Sequence, residues 1–411
     1  MAAGNTAAYG ARGRSQVRSR VRRQVNDLLK RVAYKGRKDG RPDYLEFVPG
    51  SSDPTVVADL SARVNWYLKG RQVPVFMEGA AGVEFGPDDA PWMDPNLVFD
   101  PGWEHERPNG WGEVVVHDVT MGSVSRFVRG IRAATLATPW FFDQSEWDWA
   151  TLTGRYCDSS MPSEQESIER ILALARPRSS VLVLATGPSA SEVDPASVTA
   201  QIRITCNSAV RNHDLISKLK PDVIAFSDPV FHCGPSRYAA EFRKDLRHAL
   251  ATTDALFATG NHWSAPVFAH MPELRDRAAV LAHNQSSVFS WVTPDGASVR
   301  STGNVLTNLL LPVGFALGDE LAIAGCDGRN PDENYFWKHN PSTQYSDEMM
   351  QTAFAAHPAF FRDRDYIDYY DVHCAQLEEF LTLAESKGKT VTSVTTSHIP
   401  ALVARSAPGS P

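Results

Sequence analysis

VLVLATGPSASEV, residues 181–193, is a continuous apolar run that passes directly into a glycine, a proline and small polar residues. Such a run is typical of a strand buried on both faces that ends in a tight turn before a helix. Glycine lets the backbone approach a ligand, and free amides at a helix start bind phosphate, so Gly187-Pro188-Ser189 fits a phosphate-binding loop. It equally fits a plain turn in which Ser189 caps the next helix.

Further strand-like runs follow the first, and helical patterns such as Thr302–Leu317 and Asp371–Ser386 lie between many of them. Several runs are apolar on both faces, which indicates a parallel sheet with helices on both sides, a doubly wound fold. The Arg-Pro-Arg-Ser-Ser run at 176–180 marks a boundary, so residues 176–411 form one Rossmann-like domain. The predicted strands are Val181–Ala185, Ile202–Cys206, Val223–Ser227, Leu256–Thr259, Ala278–Ala282, Leu321–Ala324 and Val391–Val394.

Residues 44–175 predict a smaller α/β domain upstream of this boundary. Short apolar runs indicate strands over Val73–Met77, Asn96–Phe99 and Glu113–Val116. Apolar residues at helical spacing indicate helices over Ser123–Ala134 and Ser163–Ala175.

A Gly-, Pro- and Trp-rich passage, Phe85–Trp111, interrupts this smaller domain. Its length and lack of periodicity indicate a surface loop that can contact a ligand. Trp92, Trp103 and Trp111 either stack on sugar rings or act as hydrophobic plugs beneath the loop.

The first 43 residues form a basic arm. Residues 11–38 contain eleven Lys or Arg and only Asp27 as an acid, a local balance of +10 that leaves −17 for the remainder. The apolar residues of the arm recur at three- and four-residue spacing and so share one helical face: Val17, Val21, Val25, Leu28, Leu29 and Val32. Such a helix either binds an anionic membrane surface through residues 12–38 or packs on the protein with its basic face in solvent. Nucleic acid is not an expected partner, because the acidic body would repel phosphates and no recognition motif accompanies the arm.

The composition indicates a folded cytoplasmic protein. With 411 residues, 43% of them hydrophobic, the chain is long enough for two domains that each bury a core. The five cysteines show no CxxC pairing, which favours reduced and buried thiols. The sequence has no run of about eighteen apolar residues and no apolar signal core. We therefore expect a chain that does not cross a membrane, with peripheral attachment to its inner face as the membrane option.

Polar side chains follow three of the predicted strands, at the point where each strand ends. These are Asn207, Asp228 and Asp327. In a doubly wound sheet the carboxyl ends of the strands meet at the edge where ligands bind. Ser301-Thr302-Gly303-Asn304 opens an apolar helix and provides a second helix start that can face an anion. Together they predict a site for a nucleotide that carries a phosphate.

The order of these motifs resembles the bacterial sialyltransferases of glycosyltransferase family 42 and, more distantly, the archaeal hydroxymethylpterin diphosphokinases. The resemblance covers residues 181–400: a strand with Gly-Pro-Ser, a strand with Cys-Asn, a Ser/Thr-Gly helix start followed by Ala316-Leu317-Gly318, and a strand with Gly-x-Asp. With the smaller domain upstream, it implies two Rossmann-like domains in a GT-B-like arrangement and a CMP-linked acidic sugar as donor. The implied donor-binding residues are Gly187, Pro188, Ser189, Asn207, Ser301, Thr302 and Gly303.

In that family two tyrosines hold the leaving phosphate. The segment Asn330–Asp371 departs from the family pattern, and Tyr335 and Tyr345 are the candidates within it. Asp327 and Arg329, beside the last strand-end motif, are added to the predicted donor site because an arginine can neutralise a departing phosphate.

In the same family a histidine serves as the base. His357 is the predicted base, because its spacing before the C-terminal helix is that of a lid segment and because it lies on no apolar helical face. His373, inside that helix, is its rival. Asp228, with His232 nearby, is a candidate nucleophile that would give a covalent intermediate and retention of configuration.

The sequence predicts no metal and no cofactor apart from the CMP-sugar itself, since CMP leaves readily without a metal. Asp363-Arg364-Asp365 matches the DxD motif of metal-dependent sugar transferases, but so short a pattern also arises by chance among 48 acidic residues.

We therefore predict a glycosyltransferase that moves sialic acid or Kdo from its CMP donor to a surface glycan or lipid-linked acceptor, with residues 44–175 on the acceptor side. The alternatives are a pterin-type diphosphokinase, which would use ATP and magnesium, and a noncatalytic glycan-binding protein.

Overall fold

The computed structural model describes residues 42–49, 51–77, 90–97, 112–117, 137–142, 146–157, 161–176, 179–195, 197–328, 342–357 and 366–407. These residues form two compact units. The smaller unit contains the described residues up to 157 together with His357, and the larger unit contains the described residues of 161–356 and 366–407. Residues 1–41 of the basic arm and the predicted helix Ser123–Ala134 lie outside the described residues.

The smaller unit is built on a four-stranded parallel sheet. Its strands are β1 (Tyr44–Val48), β2 (Val75–Met77), β3 (Gly112–His117) and β4 (Ala137–Phe142), paired in the order β2-β1-β3-β4. The sequence indicated β2 and β3 but not β1 or β4. Its helices are α1 (Pro54–Tyr67) and α2 (Glu146–Tyr156).

The two helices of the smaller unit have clear local causes. Asp53 caps α1, because its carboxylate accepts a hydrogen bond from Thr55 N at 2.9 Å, and Pro54 supplies the first helical φ. Tyr67 at the end of α1 stacks on Trp149 of α2 with ring centroids 4.3 Å apart. Both rings are fully buried, so this pair anchors the core of the smaller unit.

The predicted strand Asn96–Phe99 is wrong where the chain is described. Asn96 N donates to Asp94 Oδ1 at 2.9 Å, and Leu97 N donates to Asp94 O at 3.1 Å. These bonds form a turn, because an aspartate side chain readily accepts from the backbone two residues later.

Trp92 behaves as a hydrophobic plug. The guanidinium of Arg63 lies 4.1 Å from the Trp92 ring centroid, and the ring packs with Ala62, Ala90 and Met93. One face of the indole is therefore already covered by a cation. Trp103 and Trp111 lie outside the described residues.

The larger unit is an eight-stranded sheet in which every strand pair is parallel. The strands are β5 (Ser180–Leu184), β6 (Ile202–Cys206), β7 (Val223–Ala225), β8 (Leu256–Gly260), β9 (Ala278–Asn284), β10 (Ser298–Arg300), β11 (Glu320–Ala324) and β12 (Thr390–Ser393). They pair in the order β10-β9-β8-β7-β6-β5-β11-β12. The predicted doubly wound parallel sheet is confirmed, and the edge strand β10 is the one that the sequence did not reveal.

Helices and short turns connect the strands. The α-helices are α3 (Glu164–Leu172), α4 (His213–Leu219), α5 (Pro229–Cys233), α6 (Arg237–Thr252), α7 (Asn261–His270), α8 (Leu311–Leu317), α9 (Asp347–Ala356), α10 (Tyr366–Ser386) and α11 (Pro400–Val403). Single 3₁₀ segments span Pro188–Glu192, Asn207–Arg211 and Pro272–Arg277, and a π-helical turn, Leu306–Leu310, leads into α8.

Helix α3 packs within the larger unit, although it precedes the Arg-Pro-Arg-Ser-Ser run. Ser167 Oγ accepts from Val280 N at 2.9 Å, and the Arg170 guanidinium donates to Ala278 O at 2.7 Å. Ser163 and Glu166 form a reciprocal capping box at its start. The two units therefore divide before α3.

Apolar faces of the strands and of helices α3, α8 and α10 form the main core of the larger unit. Cys157, Cys206 and Cys233 are buried, and all five cysteines are free thiols. Burial raises the pKa of Cys206 to about 12, so this thiol is unreactive. None of the helices in the described ranges combines the length and the hydropathy needed to span a bilayer.

Candidate functional site

The strand order of the larger unit locates its ligand edge. The chain runs from β5 outward through β6 on one side, and β11 and β12 lie on the other side of β5. The loops after β5 and β11 therefore diverge at a topological switch point, the place where doubly wound sheets bind ligands. Most of the predicted site residues lie in the loops at this carboxyl edge.

The Gly187 loop after β5 is fastened to the loop after β11. Gly187 N donates to Gly325 O at 2.8 Å. A Cβ atom at Gly187 would lie 2.0 Å from Asp327 Oδ2 and 2.5 Å from Gly325 O. Only glycine fits here, because any side chain would collide with a backbone oxygen and a carboxylate.

Ser189 and Asp327 form a second link between these loops. Ser189 N donates to Asp327 Oδ1 and Ser189 Oγ donates to Asp327 Oδ2, each at 2.9 Å. The amides of Gly187 and Ser189 are thus already satisfied by the protein. They are therefore not free to bind a phosphate, contrary to the expectation from the sequence. The loop also leads into one short 3₁₀ segment and not into an α-helix.

Asp327 is held in a partly desolvated position. Burial raises its pKa, and the hydrogen bonds from Ser189 act in the opposite direction. The Thr395 hydroxyl lies 3.0 Å from Ser189 Oγ and 3.0 Å from Gly325 N. The loop after β12 therefore joins the same hydrogen-bonded cluster.

Asn207 follows β6 and has a left-handed backbone with φ 48°. Its Oδ1 is buried, and no hydrogen-bond donor within the described part of the chain reaches it. A buried acceptor without a partner is costly, so this amide is suited to a ligand that brings its own donor.

Asp228 follows β7 with φ 68°, a second left-handed non-glycine residue at the same edge. Its Oδ1 accepts from Phe231 N at 3.0 Å and caps α5. His232 Nδ1 lies 3.1 Å from Asp228 O, and burial lowers the pKa of His232. The carboxylate thus has a structural role as a helix cap, which competes with its predicted role as nucleophile.

The predicted helix start at Ser301-Thr302-Gly303 is organised by the helix itself. Thr302 N donates to Asn308 Oδ1 at 2.8 Å, and the hydroxyls of Thr302 and Thr307 are 2.8 Å apart. Pro312 has no N–H, so the carbonyl of Asn308 loses its helical partner, and His283 Nε2 lies 3.3 Å from that oxygen. The π-helical turn lies at this point, as such turns often do near functional sites.

His373 lies on α10, between Tyr369 and Leu377. Tyr369, one turn earlier on α10, donates its hydroxyl proton to Gly303 O, and Leu377, one turn later, lies in the core with Leu306. Residues four apart share a helical face, so His373 lies between these two contacts. It is 6% exposed, burial lowers its pKa to about 4, and its Nδ1 has no partner among the described residues.

Tyr345 is committed to another partner. Its hydroxyl donates to Asp245 Oδ2 at 2.6 Å, and the Arg211 guanidinium lies 5.2 Å from its ring centroid. Burial and the Asp245 carboxylate raise the pKa of Tyr345. A phenol has one proton to donate, so the predicted bond from Tyr345 to a phosphate is not available in this arrangement.

His357 is 2% exposed, directly follows α9, and belongs to the smaller unit. Arg329, Tyr335 and the Asp363-Arg364-Asp365 motif lie outside the described residues.

Thr395, Asn308 and Tyr369 were not among the residues predicted from the sequence. Thr395 begins a polar run, Thr-Thr-Ser-His, immediately after the last strand, and this is the same signal that identified Asn207 and Asp228. Asn308 and Tyr369 lie within apolar helical patterns, where a polar residue gives no sign of its partner.

No protein-family model and no curated protein matches the chain. Among solved structures, it is similar to the sialyltransferase CstII from Campylobacter jejuni in complex with a substrate analogue, CMP-3FNeuAc, at 12% identity and a TM-score of 0.30, over 56% of this chain and 88% of that one. A variant of that sialyltransferase in complex with CMP is similar at 14% identity and a TM-score of 0.31, over 55% of this chain and 88% of that one. Function has to be argued from the residues of this chain.

Proposed function

We propose that the protein is a sugar transferase whose donor is a CMP-linked acidic sugar of the sialic acid or Kdo type and whose acceptor is a surface glycan or lipid-linked glycan. Support comes from the ordered motifs over residues 181–400 and from the switch point beside β5, the kind of place where doubly wound sheets bind ligands. No metal or additional cofactor is part of this proposal.

The Asn207 amide is the observation that carries the proposal. Its buried Oδ1 lacks a donor among the described residues, and its backbone is left-handed. An unpaired buried acceptor costs about 1–3 kcal/mol, and a strained backbone costs a similar amount. Such costs are tolerated chiefly where a ligand binds. A ribose hydroxyl or the amino group of cytosine would supply the missing donor.

His373, and not His357, serves as the base in this proposal. The acceptor hydroxyl attacks the anomeric carbon, the bond from that carbon to the phosphate oxygen breaks, CMP leaves with the electron pair, and His373 takes the hydroxyl proton. A pKa of about 4 keeps His373 neutral near pH 7, as a base must be. A phosphate bound at the Ser301–Gly303 helix start would raise that pKa, so the base would strengthen when the donor is present.

A single displacement of this kind inverts the configuration of the sugar. A covalent route through Asp228 would retain it, and this route requires the carboxylate to leave its capping position at Phe231 N. Product stereochemistry therefore separates the two candidate catalytic residues.

The basic arm, residues 12–38, would hold the enzyme at an anionic membrane surface, where lipid-linked acceptors are found. Its sequence pattern is the support for this part of the proposal. Vesicles that contain phosphatidylglycerol should sediment the full chain but not a chain that lacks residues 1–41, and neutral vesicles should sediment neither.

The activity itself is tested by incubation with CMP-sialic acid or CMP-Kdo and a mixture of glycan acceptors. The expected result is acceptor-dependent release of CMP with one of the donors, and its loss in the His373→Gln variant. Absence of turnover with both donors, together with failure to bind CMP, would reject the proposal. Consumption of ATP in the presence of magnesium would establish the diphosphokinase instead.

A further inference from the structure

Thr395 lies in the loop that follows β12, two strands from β5 in the sheet. It is 2% exposed, and its hydroxyl reaches both the Gly325 amide of the β11 loop and the Ser189 hydroxyl of the β5 loop at 3.0 Å. This one side chain therefore connects three loops of the ligand edge.

The protons of this cluster can be assigned from what each group is able to do. An amide only donates, so Thr395 Oγ1 accepts from Gly325 N. The Ser189 hydroxyl is the donor both to Asp327 Oδ2 and to Thr395 Oγ1, so its one proton is shared between these two oxygens. Thr395 Oγ1 thus accepts from both the Gly325 amide and the Ser189 hydroxyl.

Asp327 Oδ1 accepts from the Ser189 amide as well. The cluster is thus held together by donors and acceptors of the protein itself. Its hydrogen bonds link three loops, and the missing Cβ at Gly187 lets two of them touch. Hydrogen-bond networks that link loops in this way fix their local geometry.

We propose that Thr395 is a positioning residue for the donor site: its hydroxyl, through Ser189 and Asp327, fixes the shape of the loop on which the nucleotide rests without touching the nucleotide. This inference rests on the proposed function for the identity of the ligand, CMP. It assigns Ser189 and Asp327 to the shape of the site, whereas the sequence placed them among the donor-binding residues.

Thr395→Val removes the hydroxyl at nearly constant volume, and Thr395→Ser retains it. The matched control is Thr205→Val. Thr205 is also fully buried, and its hydroxyl donates to Leu184 O at 2.9 Å, beneath the same edge but outside the chain of bonds. Thr395→Val loses two buried hydrogen bonds and Thr205→Val loses one, so Thr395→Val should lose more stability, and CMP affinity is the readout that separates the two variants.

Calorimetric titration with CMP, and turnover with the active CMP-sugar, distinguish positioning from a general loss of stability. Thr395→Val should raise the Kd for CMP and the donor KM about tenfold while kcat stays within about twofold, because binding must then also restore the shape of the loop, at a cost of about the energy of one hydrogen bond. Thr395→Ser and Thr205→Val should both stay within about twofold of the unmodified protein. Equal weakening by both valine variants, or unchanged CMP affinity in Thr395→Val, would overturn the inference.

A second readout keeps the network testable if the proposed function fails. If the unmodified protein binds no CMP, the proposed function is rejected. Hydrogen exchange then tests the network alone: the amides of Gly325 and Ser189 should exchange at least about tenfold faster in Thr395→Val and at the original rate in Thr395→Ser. Unchanged exchange in Thr395→Val would overturn the network.

If Thr395→Val does not fold, it is replaced by Thr395→Cys, which has a similar volume and a weaker hydrogen-bonding group. If the amides of Gly325 and Ser189 are then as protected from exchange as in the unmodified protein, the network is overturned.

Discussion

The loops after β5, β11 and β12 and the turns after β6 and β7 end at the same edge of the sheet, yet their polar groups are arranged in opposite ways. We call the first set the switch-point loops (residues 185–192, 325–328 and 395–398) and the second set the strained turns (Asn207 and Asp228). In the switch-point loops, Ser189, Asp327 and Thr395 satisfy one another. In the strained turns, both backbones are left-handed, and Asn207 Oδ1 has no donor among the described residues.

This difference separates two roles that the sequence presented as one. Groups that satisfy each other are suited to fix a shape, because a ligand would have to break existing hydrogen bonds to use them. A buried group without a partner is suited to bind, because the ligand supplies what is missing. Substitutions in the switch-point loops should therefore change stability and shape, and loss of the unpaired Asn207 side chain should chiefly change binding.

The largest expected effect follows from Gly187→Ala. The added Cβ would lie 2.0 Å from Asp327 Oδ2 and 2.5 Å from Gly325 O, so the carboxylate and the backbone must both move. We expect unfolding by urea to show a loss of about 3 kcal/mol or more, the upper end for overpacking, together with a loss of CMP binding.

Gly296→Ala is the matched control in the same unit. The nearest atom to its added Cβ would be Glu164 Oε1 at 3.9 Å, an ordinary contact. Its stability should change by no more than about 0.5 kcal/mol. If the two alanine variants were equally stable, the switch-point loops would not be rigid, and they would not differ from the strained turns in the way described.

The sheet and its ligand edge were predictable because apolar runs and strand-end polar residues are local signals. Residues 181–184 and the other buried strands read directly as a parallel sheet, and Asn207 and Asp228 follow their strands as predicted. The edge strand β10 (Ser298–Arg300) was missed, because three residues with one buried side chain leave no apolar run.

Partner choice within the site was not predictable, because it depends on contacts between distant parts of the chain. Ser189 and Asp327 are 138 residues apart, and Tyr345 and Asp245 are 100 apart. The sequence shows that each is polar and lies near a strand or helix end. Whether its proton goes to the protein or to a ligand depends on three-dimensional packing that no short motif encodes.

The second effect concerns His373, whose buried Nδ1, like Asn207 Oδ1, has no partner among the described residues. Burial lowers its pKa to about 4, below the unfolded value of about 6.5, so the unfolded state binds more protons between these values. Stability should therefore fall as the pH is lowered from about 6.5 towards 4. At pH 5 this loss is on the order of 2 kcal/mol relative to pH 7.

Urea unfolding at pH 7 and pH 5 measures this loss, and His373→Gln is the reference because glutamine does not titrate. The difference in stability between the two pH values should be smaller in the variant by on the order of 2 kcal/mol. An equal pH dependence of the two proteins would mean that the His373 ring is hydrated or already has a hydrogen-bond partner, and His373 would then not be available to a ligand.

Tyr345→Phe gives the third effect. Tyr345 lies beside Arg211, at the end of the turn that begins with Asn207, but its hydroxyl is satisfied by Asp245. Because this hydroxyl already has a partner in the protein, we expect Tyr345 to have a structural role. Loss of this bond should lower stability by about 1–2 kcal/mol, because the Asp245 carboxylate loses a donor, while the Kd for CMP changes less than about twofold. A tenfold weaker CMP affinity with unchanged stability would return Tyr345 to the donor site.

The smallest change in stability, and the sharpest test of the strained turns, comes from Asn207→Gly. Glycine adopts a positive φ without cost, so relief of strain offsets its greater flexibility in the unfolded chain, and stability should change by no more than about 1 kcal/mol. The variant also lacks Oδ1, so its affinity for CMP should fall about tenfold, the value of one hydrogen bond.

Lys220→Gly is the control that separates the two consequences of Asn207→Gly, the relief of backbone strain and the loss of Oδ1. Lys220 has φ 47°, almost the same as the 48° of Asn207, but it ends α4 just before β7 and thus lies at the amino edge of the sheet. Relief of strain should stabilise Lys220→Gly at least as much as Asn207→Gly, because asparagine tolerates the left-handed region better than lysine. Its CMP affinity should not change. If both glycine variants bound CMP equally well, the Asn207 side chain would not contact the nucleotide, and its unpaired oxygen would be a cost without a function.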